Sequence, residues 1–148
     1  MMKYINYFKM TIPALSRNES FARTAVSAFV TQLDPLVSQL SDIRAAVSEA
    51  VTNCIVHAYK EGDKAGKISI TARISEDRAY IRIKDNGCGI EDIKQAMEPL
   101  FTTKPEEERS GLGFAVMESC ADKVKVSSKK NKGTTVSLTF IIEQREVL

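Results

Sequence analysis

Three short stretches of this sequence bring together residue types that can do chemistry. The first is SEAVTNCIVHAY, in which Glu49, Asn53 and His57 recur every four residues. In a helix, successive members are offset by only ~40° and rise ~6 Å, so all three share one face. A carboxylate and an amide one turn apart could hold a metal-bound phosphate between them. The amide oxygen is a hard ligand suited to Mg2+, and the carboxylate could accept a proton from a hydroxyl. The same spacing also describes a solvated helix face carrying a polar pair. The second stretch is DNGCGI, Asp85–Ile90, directly after an apolar strand. Gly87 and Gly89 let the backbone turn sharply or come close to a ligand. Asp85 offers an acceptor to an amine such as the exocyclic group of adenine. Alone, DxGxG reads more readily as an ordinary turn. The third is RSGLGF, Arg109–Phe114, opening a helix. Gly111 and Gly113 free the main chain there, the helix N-terminus presents its first amides to an anion, and Arg109 adds a cation. A flexible start to the helix is the plainer reading. Between the second and third lies PLFTTKPEEE, bounded by Pro99 and Pro105, which reads as a lid or as a surface loop.

Other chemistries find no support. GDKAGK at Gly62–Lys67 has one residue too few between its glycines for a phosphate loop, and Ile68 where Ser or Thr is needed. The eukaryotic-type kinase motifs and the GxSxG elbow are absent. Lys129, Lys130 and Lys132 carry no interleaved aromatics, so they read as a solvated hairpin tip rather than a nucleic-acid patch. Cys54 and Cys120 read as core, and Cys88 as an exposed residue of a glycine loop. Three widely spaced cysteines and one histidine argue against a disulfide framework or a zinc site, and favour a reducing cytoplasm. The 148 residues are 43% hydrophobic and 27% charged, with a formal net charge of +2. That composition excludes a disordered chain and gives no prior for nucleic acid or an anionic membrane. No apolar run approaches the ~18–20 residues of a membrane span. Polar residues in MMKYINYFKM break any signal-peptide core.

These residues must be positioned by a small set of elements. Residues 3–12 alternate as a strand, with Tyr4, Phe8, Met10 and Ile12 on one face, and Pro13 ends it. Ser16 and Glu19 fit a capping box ahead of a helix with Ala22, Ala25, Val26, Phe29 and Leu33 in helical register. Asp34-Pro35 breaks that helix, with Pro35 suited to the first turn of the next one. This longer helix runs from about Ser41 to Tyr59, its apolar stripe including Ile43, Val47, Ala50, Val51 and Cys54. Strands at Lys67–Ile74 and Ala79–Lys84 form a hairpin, a helical patch lies near Glu91–Met97, and a helix spans about Leu112–Ala121. A last hairpin pairs Lys123–Ser128 with Thr134–Glu143. The order β-α-α-β-β-α-α-β-β predicts an α+β fold. It is a single domain over 1–148, a two-layer sandwich with a mixed, mainly antiparallel sheet covered by helices on one face.

Each motif is weak alone, but their order is specific: ExxxN on a helix, a strand leading into DxGxG, a lid, GxG at a helix start, and KGTT on the last hairpin. Over about residues 40–140 this resembles the GHKL superfamily of ATP-binding domains, shared by gyrase-type ATPases and histidine kinases. Histidine-kinase domains usually carry Asn where this chain has Glu49, because their acceptor histidine needs no strong base, whereas a serine hydroxyl or a water does. Hydrolytic members carry large appended domains for which this sequence leaves no room. The segments NESFAR, QLDP, VSEAVTN, PLFTTKP, ERSG-x-GF and NKGTTV, spread from Asn18 to Val136, resemble the small anti-sigma factor kinases, and specifically their sporulation branch. The intact DNGCG favours the sporulation branch over stress-response relatives.

The resemblance implies roles for individual residues. Glu49 would be the general base toward an acceptor serine and Asn53 the Mg2+ ligand. Asp85 would recognise adenine, helped by Thr135, with Gly87 and Gly89 letting the chain approach the nucleotide. Arg109, Ser110, Gly111 and Gly113 would surround the phosphates, with Thr102, Thr103 and Lys104 in the lid. Glu19 and Arg23, on the exposed side of the first helix, match positions that contact protein partners, and His57 has no assigned role. The implied cofactors are ATP, with ADP as product, and Mg2+. The implied partners are a sporulation sigma factor, kept from RNA polymerase, and an anti-anti-sigma factor phosphorylated on serine. A cytoplasmic homodimer is implied, with no direct contact to nucleic acid or membrane. Rival readings are a non-catalytic, nucleotide-gated sigma-binding adapter, an anti-sigma kinase of a stress response, and a free-standing ATPase.

Overall fold

Alternation of apolar and polar residues dictates the sheet. The computed structural model describes residues 4–59, 66–90, 92–98 and 113–143. In β2 (Lys67–Ile74), Ile68, Ile70, Ala72 and Ile74 are buried; in β3 (Arg78–Asp85), so are Ala79, Ile81, Ile83 and Asp85. Val136, Leu138 and Phe140 continue the same face on β5 (Gly133–Ile141), and Val124 and Val126 on β4 (Lys123–Lys129) pack against it. Phe8, Met10 and Ile12 do so from β1 (Asn6–Pro13), as the sequence predicts. A period of two sends every second side chain to one side, so this face is apolar and the other polar. The spatial order is β1-β2-β3-β5-β4. Every adjacent pair is antiparallel, so the expected mixed sheet is corrected to an antiparallel one over the described residues. The short turns inside β2–β3 and β4–β5 permit only that sense, because parallel pairing needs a long crossover.

The helices cover the apolar face. α1 (Arg17–Val30) buries Ala22, Val26 and Val30, and a 3-10 turn, Thr31–Leu33, finishes it with Leu33 inside. α2 (Val37–Asn53) buries Ile43, Ala46, Val47, Ala50 and Val51 and lies between α1 and α4 (Gly113–Cys120), which contributes Met117. Alanines at the crossing let the helix backbones approach while the isoleucines and valines fill the space above the sheet. A short α3 (Ile93–Ala96) comes after the glycine loop, with Asp92 accepting from the Gln95 amide at 3.0 Å. The element order is the one expected from the sequence.

Two local expectations are corrected. Ser16 is itself in helical conformation (φ −54°, ψ −37°) and makes no capping bond. An N-cap residue normally has an extended backbone, which Ser16 lacks, and Glu19 pairs with Arg23 at 3.0 Å. Pro35 does not sit in the first turn of α2, which begins two residues later at Val37. That start is held by Gln39, whose Oε1 accepts from the amides of Leu36 (3.2 Å) and Glu143 (3.1 Å), while its Nε2 donates to the Ile141 carbonyl at 2.9 Å. Helix α2 is thereby tied to the end of the interior strand β5.

The two-faced sheet makes a direct prediction. Ile70→Ala should cost about 2–5 kcal/mol in urea unfolding, by lost burial and a residual cavity. Thr71→Ala, one residue on and facing away, should stay within about 0.5 kcal/mol.

Candidate active site

Strand period carries a charge into the interior. Asp85 is the next inward-facing position after Ala79, Ile81 and Ile83, and it is only 4% exposed. A carboxylate there must be hydrogen-bonded. Its Oδ1 accepts from the Gly87 amide (2.9 Å) and the Thr134 amide (3.3 Å), and its Oδ2 accepts from the Cys54 thiol (3.5 Å). Burial raises the Asp85 pKa above the ordinary carboxylate value, while the Gly87 amide, the Cys54 thiol and the Thr134 amide pull it back. Burial, followed by the charge and hydrogen bond of Asp85, pushes the Cys54 thiol well up, so it stays protonated at neutral pH.

The loop after Asp85 is clamped on two sides. On one side, α2 does not continue as an α-helix to Tyr59 but widens into a π-turn, Cys54–Ala58, a feature that often marks functional sites. The Ala58 carbonyl accepts from the Cys88 amide at 2.7 Å. A side chain at position 87 would meet that carbonyl at 2.0 Å, so only glycine allows this approach. On the other side, the Cys88 carbonyl accepts from the Asn131 amide and the Ile90 amide donates to Ser128 Oγ at 2.8 Å. Gly89 has φ +74°, and a Cβ there would lie 2.0 Å from the Lys129 carbonyl. The glycines thus wedge the loop between the π-turn and the β4–β5 turn.

A cavity of about 430 Å³ opens beside this loop, with Asn53, Cys54, His57, Asp85, Thr134 and Phe114 among its lining residues. That volume falls in the range of small-molecule sites. Gly113 also lines it, and a methyl group there would lie 3.3 Å from both Glu49 Oε2 and Asn53 Oδ1. The carboxylate and the amide oxygen therefore both border the first residue of α4. Among the described residues, no cluster of three or more His, Cys, Asp or Glu side chains could hold a metal alone. Asn53 Oδ1 fits Mg2+ only as one protein oxygen among ligand phosphates and water, which is how that ion is commonly bound.

The structure thus brings together Glu49, Asn53, Asp85, Gly87, Gly89 and Gly113. His57 lines the same cavity, although it lies on the π-turn rather than on a continuous helix face. Thr135 is corrected: Val136 and Leu138 point into the core, so Thr134 shares their side and lines the cavity, while Thr135 faces the open side of the sheet. Counting by two from Val136 would have found it. Glu19 and Arg23 are half-buried in their ion pair rather than on a freely exposed side. Thr102, Thr103, Lys104, Arg109, Ser110 and Gly111 lie outside the described residues. Cys54 is core and Lys130 lies in the hairpin turn, as expected, and both also line the cavity, a role the sequence did not signal.

The family model described as "Histidine kinase-like ATPase domain" matches residues 12–140. The chain is 51% identical over 141 residues to an anti-sigma F factor of Thermoanaerobacter sp., covering 95% of this chain and 97% of that one. It is 53% identical over 131 residues to an anti-sigma F factor of Clostridium perfringens, covering 88% and 93%. Among solved structures, the RsbU and RsbW domains of Rv1364c from Mycobacterium tuberculosis superpose with a TM-score of 0.68 at 18% identity. That match covers 97% of this chain and 35% of the other, and shows a shared fold. The fold and site define a histidine kinase-like ATPase domain. Within that class, the chain belongs to the family of anti-sigma F factors.

The buried carboxylate predicts a pH signature. A folded-state pKa raised above the unfolded value favours folding below the unfolded pKa, and that advantage is lost as pH rises through the folded pKa. At neutral pH, Asp85→Asn should therefore melt at or above the wild-type temperature. The gap should close or reverse as pH falls through the carboxylate range, which scanning calorimetry across pH would read.

Proposed function

We propose that this chain is an anti-sigma factor and a protein serine kinase that uses Mg-ATP. The observation that carries the reading is that Glu49 Oε2 and Asn53 Oδ1 both border Gly113, which lines the same cavity as the buried Asp85. A buried, backbone-anchored acceptor suits the exocyclic amine of adenine, and the carboxylate–amide pair beside Gly113 suits phosphates. Asn53 would hold Mg2+, which supplies charge neutralisation on the phosphates. Glu49 takes the proton of the attacking serine hydroxyl. As the serine oxygen bonds to the γ-phosphorus, the bond to the bridging oxygen of ADP breaks. Such a transfer needs positioning and charge compensation more than covalent help from the protein. Arg109, Ser110 and Gly111, with Thr102, Thr103 and Lys104, would enclose the phosphates.

In the cell, a homodimer of the chain holds a sporulation sigma factor away from RNA polymerase and phosphorylates an anti-anti-sigma partner on serine. Glu19 and Arg23, fixed to each other on α1, are its candidate partner contacts. The work takes place in the cytoplasm; among the described residues, no helix is long and apolar enough to cross a membrane.

Two substitutions test the reading. Glu49→Gln should abolish phosphate transfer while leaving ATP affinity within about twofold, since a neutral amide cannot take the proton. Radiolabelled ATP added to a lysate of sporulating cells, followed by mass spectrometry, should show one new phosphoserine with the wild-type chain alone. Retention of a sigma factor without any phosphoserine would leave a nucleotide-gated adapter. Steady phosphate release without a protein acceptor would leave an ATPase. Asp85→Asn should weaken ATP binding by about 1–3 kcal/mol in calorimetric titration, the cost of mismatching a buried polar contact. Unchanged affinity would remove Asp85 from adenine recognition.

A further inference from the structure

The two oxygens of Asp85 are held differently. Oδ1 is claimed by two backbone amides, Gly87 at 2.9 Å and Thr134 at 3.3 Å, so its direction is set by the loop and by β5. Oδ2 accepts from the Cys54 thiol at 3.5 Å. Both residues are 4% exposed and both line the cavity. The carboxylate springs from the last residue of β3 and the sulfur from the first residue of the π-turn, so two separate elements bring them together. A carboxylate has about four acceptor directions, and one S–H on Oδ2 leaves that oxygen able to accept again from the cavity side.

We propose that Cys54 is a positioning residue for base recognition: its S–H, donated to Oδ2, keeps Asp85 a pure acceptor aimed at an exocyclic purine amine. This rests on the ATP reading above. The chemistry is clear from what an undonated oxygen would do in the same place. Desolvation favours the neutral carboxyl, and a protonated carboxyl carries a donor. A donor at that position repels the amine of adenine and accommodates the carbonyl that guanine carries at the equivalent carbon. The thiol opposes this by supplying a proton that Asp85 need not bind itself. The other titratable groups around Asp85 are His57 on the π-turn, Tyr59 just beyond it, Cys88 in the glycine loop, and Asp92 and Lys130 among the cavity lining.

The test is calorimetric titration of the full chain with Mg-ATP and Mg-GTP, from about pH 5 to about pH 8, for the wild type, Cys54→Ala and Cys54→Ser. Loss of one hydrogen bond to a charged group should make Cys54→Ala bind ATP about three- to tenfold more weakly near pH 6, and less so near pH 8. Its acid limb should move to higher pH and its preference for ATP over GTP should narrow. Cys54→Ser, with a stronger donor, should keep that preference and move the acid limb to lower pH than in the wild type. The proposal is overturned if the alanine variant weakens ATP uniformly across pH with its purine preference intact, the behaviour of lost packing. It is also overturned if the serine variant leaves the limb unmoved, a result that stands even should the alanine variant fail to fold. A wild-type chain that bound ATP no better than GTP would sink the underlying base reading together with it.

Discussion

A strand that alternates Ala79, Ile81, Ile83 into the core must send its next inward position there too, and that position is Asp85. The burial of this carboxylate is the constraint on which the site depends. It cannot be left without partners, so the loop must turn back to offer the Gly87 amide, β5 must lie alongside to offer the Thr134 amide, and α2 must end close enough for Cys54 to reach. Each donor comes from a different element. The arrangement therefore closes only when the sheet, the helical layer and the glycine loop are all in place.

The same packing explains why the glycines are where they are. The loop runs between the carbonyls of Ala58 and Lys129 with no space for a Cβ at 87 or 89. Gly113 has a different reason. It stands where the carboxylate of Glu49 and the amide of Asn53 converge, and a larger side chain would press on both. Backbone approach thus dictates glycine at 87 and 89, and neighbouring side chains dictate it at 113. The isoleucine-rich face runs directly into the site: Asp85 ends its β3 row, and Ile83 and Val136 join the cavity lining.

Much of this was legible from local pattern. Alternation located β2 and β3 to within a residue, and helical periodicity found the stripe of α2, because each periodicity repeats over several residues and needs no knowledge of the partner. Glu49 and Asn53 were legible as a pair because an i,i+4 spacing on a helix leaves them no other relation. Thr134 was missed for Thr135 although the parity of Val136 and Leu138 was available. The capping expectation at Ser16 failed because the residue type was right but its backbone was already helical.

The sequence by itself determined the elements, their order, the two faces of the sheet and the motifs that carry the charge and the glycines, since all of these arise from interactions between near neighbours in the chain. Only the tertiary structure decided that Cys54 meets Asp85 across 31 residues, that Gln39 joins α2 to Ile141 across 102, and that α2 widens into a π-turn beside the cavity. It also decided that Lys130, a hairpin-tip residue by pattern, stands among the cavity-lining residues. Such contacts depend on where separate elements come to rest against one another. That placement is set by the close packing of the whole core, and no local periodicity records it.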